Sequence, residues 1–448
     1  AVTVAVEDLS KPIPVNVKMG TADMYVDVAS MVEGPAPTFP QIKLAQGIFK
    51  GSVLGVLGGT GSDSPSESAV LSNGDVVVVG STTSSNKDFA SHSNSKRAGF
   101  IAQTTSDGDV LDATVLEGAS MSGISSVSAG SDDSFFVAGY YQNDSAPSGD
   151  FEGLNLVESP QRDAFIAKYD SQGKRIWARS ISSSFTEQFE TVIATDDGGC
   201  VASAEVMFAQ GKTYDGNIDS AMPGMVNAVV VKYDKDGNKE WDVAVGCNGI
   251  TDPQGGLAVR DDGSYLLLVE RTASNGFFEG APFYGEGVDG QTRYVDFEIG
   301  AATISKDGTA ELLGVYGGNL NDSMNSAITT SDGGFAFVGY TESTTQTFAG
   351  REGEGDSGYL AKCDANGSVE WVAMLESSGD SSLNSVVETE EGYLAVGSAE
   401  ASDGDFESMD KGGNDAVVAT FDRHGNRTSL RTFGGTKDDD AVQAVSFD

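Results

Sequence analysis

Short apolar segments alternate with glycine-containing turns along almost the whole chain, and no segment shows sustained helical periodicity. The segments occur in pairs joined by short turns that end in glycine, as in AFIAKYDSQGKRIWARS and AVVVKYDKDGNKEWDVA, and in most units the turn is Asp-Gly or Asn-Gly. Asp, Asn and Gly tolerate the positive φ angles of turns that match the twist of two paired strands. Each pair of segments therefore predicts a β-hairpin.

The hairpins recur with a period. The turn glycines of one hairpin type are separated by 58 to 71 residues, at Gly108, Gly173, Gly237, Gly308, Gly367 and Gly425. A second hairpin precedes each of these, with turns such as TSDGGFAFVG and TDDGGCVASA. Each unit therefore consists of four short strands, named A to D in chain order, and six units are complete.

Repeated four-stranded units without helices are typical of a β-propeller, in which each small sheet packs against its neighbours around an axis. The two ends of the chain predict one more unit, because TFGGTKDDDAVQAVSFD supplies an A strand and MYVDVASMV, QIKLAQ and GSVLGVLGGT supply B, C and D strands. We therefore expect an all-β, seven-bladed propeller over residues 21–448, with four antiparallel strands per blade. The C-terminal strand would join the N-terminal blade and close the ring. Residues 1–20 are expected to form a linker or an extra edge strand.

The repeated motifs resemble the bacterial SBBP-type β-propeller repeat. The resemblance covers about residues 22 to 448 and rests on a GG-x-x-x-D run, a DGG turn, an Asp-Phe pair in a short loop and the motif DAF-x-AK-x-D-x-x-G-x-x-x-W. The Asp-Phe pairs are Asp88-Phe89, Asp150-Phe151 and Asp405-Phe406. The resemblance implies a propeller of secreted or surface proteins and brings no catalytic residues. Units three and four depart from the motif after their B strands and carry long insertions.

The charge of the chain limits its partners. Acidic residues outnumber basic ones 67 to 27, a net charge of -40, which repels nucleic acids and anionic lipid surfaces. No apolar run is long enough to cross a bilayer. The three cysteines are far apart and are expected to be buried thiols rather than a disulfide framework or a zinc site. The composition and the resemblance together favour an extracellular or cell-surface bacterial protein, which we expect to be a monomer cut from a longer chain.

Aspartates follow the glycines of the junctions between a D strand and the next A strand. If the A strands are innermost, these carboxylates ring the mouth of a central channel, and oxygen ligands converging from several loops suit Ca²⁺. The alternative is that each aspartate caps its own turn through a local hydrogen bond. The candidate metal ligands are Asp63, Asp252, Asp322, Asp380 and Asp439.

Long connections between strands B and C, at about residues 142–162, 207–226 and 272–296, should share one face of the propeller with the D–A junctions. The third connection combines aromatic rings with carboxylates, a pairing that can stack a sugar or hold a basic peptide. The alternative is that the loop buries its own aromatics. The candidate ligand-binding residues are Phe277, Phe278, Phe283, Tyr284, Tyr294, Glu279 and Asp289. The second connection carries Met207, Phe208, Tyr214, Met222 and Met225 and is interpreted in the same way.

Catalytic motifs are scarce. The two histidines, His92 and His424, fall on opposite faces of the predicted propeller, and no serine elbow accompanies them. The sequence therefore favours a non-enzymatic extracellular binding or adhesion module that meets a glycan or protein with its long-loop face. Two alternatives stay open: a carbohydrate-active hydrolase or lyase using carboxylates on that face, and a structural spacer.

Overall fold

The computed structural model describes short backbone segments before residue 53 and most of residues 57–446, and the protein is an all-β propeller of six blades. The described residues are 2–6, 13–17, 42–44, 47–49, 51–52 and 57–446, with gaps at 93–95, 106–107, 143–147, 155–160, 183–184, 208–225, 286–295, 408–411 and 435–437. Each blade is a sheet in which strands A to D pair in chain order and antiparallel, as the two hairpin types predict.

The strands have the following bounds, in the order of blades 1 to 6. The A strands are Asp63–Val70, Met121–Ala129, Glu187–Ala194, Thr251–Asp252 with Leu257–Val259, Asp322–Thr329, and Asp380–Thr389. The B strands are Val76–Thr82, Phe135–Gln142, Cys200–Met207, Tyr265–Arg271, Phe335–Thr341 and Gly392–Glu400. The C strands are Ala98–Thr104, Asp163–Tyr169, Val226–Tyr233, Glu298–Ile304, Ser357–Cys363 and Asp415–Asp422. The D strands are Val110–Val115, Arg175–Ile181, Lys239–Val245, Ala310–Tyr316, Val369–Met374 and Arg427–Phe433.

The C–D turns are shaped by an aspartate and a glycine. The Asp234 carboxylate accepts hydrogen bonds from the backbone N–H groups of Asp236 and Asn238, at 2.9 Å and 2.8 Å. Gly237 then adopts a φ of +76°, a left-handed conformation that favours glycine. The same turn recurs after Asp170, Asp364 and Asp422.

The repeated Lys-Tyr-Asp and Trp residues join neighbouring turns. The buried Lys232 amino group binds the Asp197 carboxylate of the A–B turn at 2.7 Å, and Lys362 binds Asp332 in the same way at 2.9 Å. Trp177 of blade 2 donates its indole N–H to the Lys235 carbonyl in the C–D turn of blade 3, at 3.0 Å. Where the motif has its Lys and Trp, these residues therefore link the two turns of one blade, as in blades 3 and 5, and one blade to the next, as in blades 2 and 3.

The core consists of apolar layers between successive blades. One such layer, between blades 2 and 3, contains Phe136, Trp177, Phe189 and Val229, all at most 8% exposed. Cys200, Cys247 and Cys363 are buried free thiols, as predicted. In the described part of the chain, no helix has the length and apolarity needed to span a bilayer.

The prediction of seven four-stranded blades is wrong. The predicted C strand instead forms a small hairpin, Ile42–Leu44 with Gly47–Phe49, and the predicted B strand lies outside the described residues. The remaining terminal strands form a mixed sheet, in the order Gln443–Ser446, Val2–Val6, Ile13–Val17 and Gly51–Ser52, in which the first and last pairings are parallel. The physical reason is that this region lacks the Asp-Gly and Asn-Gly turns that make tight antiparallel hairpins in most of the blades.

The C-terminal strand of this mixed sheet, Gln443–Ser446, lies between the inner strands of blades 6 and 1. Asn384 of blade 6 donates to the Ala441 carbonyl at 3.1 Å, just as Asn325 of blade 5 donates to Leu383 of blade 6 at 3.0 Å. On the other side, the Gln443 side-chain carbonyl accepts from the Ser68 backbone N–H of blade 1 at 2.6 Å. The axis is therefore surrounded by the six blades and, between blades 6 and 1, by the C-terminal strand of the mixed sheet.

Candidate binding site

The B–C loops and the D–A junctions lie at the same end of each blade, as predicted. The Asp150 carboxylate in the B–C loop of blade 2 accepts from the Glu117 backbone N–H of the preceding junction at 2.7 Å, and Asp405 accepts from Glu376 in blade 6 at 2.8 Å. We call this end the loop face. The unit-three loop 208–225 lies outside the described residues, and Met207 ends a B strand.

In the described part of the chain, five B–C loops are anchored by a phenylalanine. In each of them a 3₁₀ turn inserts a ring that is at most 1% exposed: Phe89, Phe151, Phe278, Phe348 and Phe406. The Asp-Phe pairs of the sequence thus have two structural roles, since the ring enters the core and the carboxylate binds the junction. These contacts therefore anchor each of the loops to its blade.

The blade-4 loop, residues 272–285 in its described part, is the one that carries the predicted aromatic cluster. Phe278 is fully buried, and Phe277 packs edge-on against it with ring centroids 5.2 Å apart. These two rings therefore follow the alternative in which the loop buries its own aromatic residues. Glu279 and Tyr284 are exposed, whereas Tyr294 and Asp289 lie outside the described residues.

A buried ion pair supports the rest of this loop. Arg271 and Glu298 have fully buried side chains, and their Nη2 and Oε2 atoms are 2.8 Å apart. Burial lowers the pKa of Arg271 and raises the pKa of Glu298, because each charge is removed from water. The guanidinium lies 5.1 Å from the Phe278 ring centroid and 5.3 Å from that of Phe283.

The ion pair also binds the loop backbone. Arg271 donates to the carbonyls of Ala273, at 3.0 Å, and Pro282. Glu298 accepts from the N–H groups of Gly285, at 3.0 Å, and Tyr284. Tyr284, which is 40% exposed, is therefore presented on a backbone held from both sides. An amphipathic ring on a rigid support is a feature of binding surfaces.

Two of the five junction aspartates, Asp63 and Asp322, bind the backbone of their own junctions. The Asp63 carboxylate accepts from the Gly59 N–H at 2.8 Å and the Ser84 hydroxyl at 3.0 Å, and Asp322 makes the equivalent contacts with Gly318 and Ser343. Asp380 accepts from the Asp356 N–H at 3.0 Å. Among the residues placed by the structure, no three His, Cys, Asp or Glu side chains converge as a metal-binding group. Asp439 is buried, and Asp252 lines the central cavity.

That cavity, of about 880 Å³, lies at the centre of the propeller, where the sequence analysis places a channel. It is lined by inner-strand residues of all six blades and of the C-terminal strand. Among the residues that the structure describes, three carboxyl side chains line it: Glu67 from blade 1, Glu190 from blade 3 and Asp252 from blade 4. Asp252 is one of the predicted candidates, whereas Glu67 and Glu190 are not, because a Glu within an A strand has the same spacing whether it faces an axis or solvent.

Burial raises the pKa of several carboxyl groups in and near the cavity. It raises the pKa of Glu67 to about 7, that of Glu190 to about 8, and those of Glu205 and Glu270 to about 7. The desolvation is partly offset by hydrogen bonds, such as the one from the Val127 N–H to Glu67 at 2.8 Å. The folded protein therefore retains protons that the unfolded chain has lost at neutral pH.

We expect the protein to become more stable as the pH falls from 8 to about 5.5. A raised carboxyl pKa means that the folded state binds more protons than the unfolded state in this window, so its stabilising effect is lost as pH rises through 7 to 8. A difference of one bound proton between the folded and unfolded states changes the free energy of unfolding by about 1.4 kcal/mol per pH unit. We therefore expect Tm to rise by at least about 2 °C on acidification over this range. Calorimetry at both pH values measures this. A Glu67→Gln/Glu270→Gln variant should show a flatter profile, and a Tm that falls on acidification over this range would contradict the assignment.

Comparison with known proteins assigns the chain to no family. No family model matches the chain, and no curated protein matches it, so the SBBP repeat type is not confirmed. Solved structures similar to it include a protein of unknown function from Bacteroides caccae, with 11% identity over 74% of this chain and 89% of that one, and a TM-score of 0.38. YCF48 bound to D1 peptide has 10% identity over 84% of this chain and 83% of that one, with a TM-score of 0.41. Puromycin hydrolase has 11% identity over 83% of this chain and 47% of that one, with a TM-score of 0.42. The class of the protein, a β-propeller, rests on its own strand topology.

Proposed function

We propose that the chain is a non-enzymatic binding module whose loop face meets a glycan or another protein. The observation that carries the proposal is the blade-4 loop, in which a buried ion pair fixes the backbone that presents Tyr284 and the neighbouring exposed Glu279. A buried ion pair contributes little net stability compared with apolar packing, so its placement under an exposed aromatic favours a role in positioning. We place the module outside the bacterial cell, as the repeat resemblance suggests, and regard it as a monomer.

The charge of the protein limits the classes of ligand that it can bind. With a net charge of -40, its surface attracts cationic groups and repels anionic ones. Tyr284 can stack on a sugar ring or an apolar side chain, while Glu279 can accept a hydroxyl or ammonium group. The favoured ligands are therefore neutral or amino-containing glycans and proteins with a basic patch.

Removing the Tyr284 ring should abolish most of the binding. The test applies the wild type and Tyr284→Ala to an array of defined glycans and to purified proteins of graded isoelectric point. Because central aromatic residues often contribute 2 kcal/mol or more to an interface, we expect at least roughly tenfold weaker binding by the variant.

Ile176→Ala is the matched control, since Ile176 is a 55% exposed apolar residue on a D strand. It should bind like the wild type. Equal binding by all three proteins would show that Tyr284 and the blade-4 loop are not part of the interface. Cleavage of an arrayed glycan would favour the hydrolase alternative, and no binding to any probe would favour the spacer.

A further inference from the structure

The inner strands carry a β-bulge where they border the central cavity. In blades 1, 2, 3, 5 and 6 the pairing of strands A and B shifts register once, and the shift leaves one extra residue on strand A. A bulge can re-aim the side chain of its extra residue. All five of these residues line the cavity and are partly buried. They are Ser66, Ser125, Glu190, Asn325 and Asn384.

A small residue on strand B makes room for each bulge. In blade 5 this residue is Gly339, where a Cβ atom would clash with the Ser323 carbonyl oxygen. The same place holds glycine in blades 1, 2 and 6, and Ala204 in blade 3. In blade 4 it holds Val269, and the inner strand is interrupted at residues 253–256 instead. The bulges therefore place polar side chains around the axis at one level of the cavity.

Blade 4 adds two polar side chains to this ring, Asp252 and Gln254, which also line the cavity. The Asp252 Oδ2 atom accepts from Gln254 at 3.3 Å, whereas the buried Oδ1 atom has no hydrogen-bond partner among the described residues. In the adjacent blade 3, the Glu190 Oε1 atom accepts from the Gln188 amide at 2.8 Å. A carboxylate can accept about four hydrogen bonds. The two adjacent blades therefore present carboxylate oxygens with capacity for further donors.

The amide donors of the ring are already in use. Asn325 donates to the Leu383 carbonyl at 3.0 Å, and Asn384 donates to the Ala441 carbonyl at 3.1 Å. Among the described residues that line the cavity there is no Lys, Arg or His to offset the three carboxyl side chains. A ligand of the cavity must therefore supply hydrogen-bond donors, and a positive charge on the donor would strengthen the contacts. An ammonium group has both properties.

We propose that the central cavity binds a small aliphatic amine, whose ammonium group lies between Glu190 and Asp252. The ammonium group can donate to both carboxylates and so offset the repulsion between them. This repulsion is present in the structure, since burial and then the charge of Asp252 raise the pKa of Glu190 to about 8. The cavity volume of about 880 Å³ is within the range of small-molecule sites. The hydroxyls of Ser66 and Ser125 can accept from a second amino or hydroxyl group of the ligand.

Calorimetric titration at pH 8 and physiological salt tests this proposal with three probes. Putrescine carries two ammonium groups, ethanolamine carries one ammonium and one hydroxyl group, and the diol analogue of putrescine carries no charge. We expect at least one amine to bind at least roughly tenfold more tightly than the diol. The tighter amine identifies the second group that the ring accepts. No binding of either amine, or equal affinity for the diol, would overturn the proposal.

Two variants and two controls locate the amine. Glu190→Gln and Asp252→Asn should each weaken binding of the tighter amine at least roughly tenfold, because each removes a charge-assisted hydrogen bond. Glu67→Gln removes the same charge from blade 1, where the carboxylate already accepts from the Val127 N–H at 2.8 Å. It should bind within about twofold of the wild type, since salt screens charges at a distance. Tyr284→Ala should also bind the amine like the wild type, which separates the cavity from the loop face.

Two results with these variants would contradict the site. Wild-type affinity in both Glu190→Gln and Asp252→Asn would show that the amine binds elsewhere. Equal weakening in Glu67→Gln would show a general effect of net charge in place of a defined site.

Discussion

Replacing Glu298 with alanine is expected to destabilise the protein by about 3–5 kcal/mol, because it leaves the Arg271 guanidinium buried without its charge partner. Both side chains are fully buried, and the carboxylate also holds the backbone N–H groups of Tyr284 and Gly285. Urea denaturation at pH 7 gives the free energy of unfolding. Glu298→Gln keeps a hydrogen-bond acceptor for the backbone N–H groups and should lose less stability. Comparing the two variants separates the contribution of the charge from that of the backbone hydrogen bonds.

Glu279→Gln is the control for this prediction. Glu279 is an exposed carboxylate in the same loop, so its replacement should change stability by no more than about 0.5 kcal/mol. An alanine variant at Glu298 that is as stable as this control would show that the ion pair does not support the blade-4 loop.

Replacing Phe348 with alanine should also cost about 3–5 kcal/mol, since the ring is fully buried and leaves a cavity when truncated. The ring centroid lies 4.7 Å from that of Tyr359, within the apolar layer between blades 4 and 5. Its 3₁₀ turn is bound to the preceding junction through the hydrogen bond from Thr347 N–H to the Gly317 carbonyl at 3.1 Å. Thermal and urea unfolding both measure this loss of stability.

Ile176→Ala again serves as the control, because it removes an exposed apolar side chain from a D strand. A Phe348 variant with the stability of the Ile176 variant would contradict the view that these phenylalanines anchor the B–C loops. Replacing Phe406 with alanine should have the same effect in blade 6, because the Phe406 ring is buried to the same extent.

The repeating part of the fold could be predicted because its information is local. Each Asp and Gly of a C–D turn makes contacts within a few residues, so the hairpins follow from the sequence alone. The number of blades could not be predicted, because the choice at the seventh position depends on parallel pairings between segments more than 400 residues apart, such as Val4 with Ala444. No local turn signal accompanies such a pairing.

The candidate site was predictable in part for the same reason. The aromatic and acidic composition of the blade-4 loop is visible in the sequence, but the burial of Phe278 and the exposure of Tyr284 depend on Arg271 and Glu298, which belong to two different strands. The junction aspartates recur in the sequence, yet the difference between Asp322, enclosed by its own turn, and Asp252, facing the cavity, arises only when the blades are assembled. The calcium prediction for these aspartates stays a prediction, to be tested by metal analysis.

If the loop face, and the blade-4 loop in particular, meets the ligand, binding should slow amide exchange there. Hydrogen exchange is measured on the protein saturated with the array ligand that binds most tightly. We expect protection of residues 272–285 and of neighbouring D–A junctions such as 317–321. Protection confined to the opposite face, at the A–B turn 195–199 and the C–D turn 234–238, would contradict it.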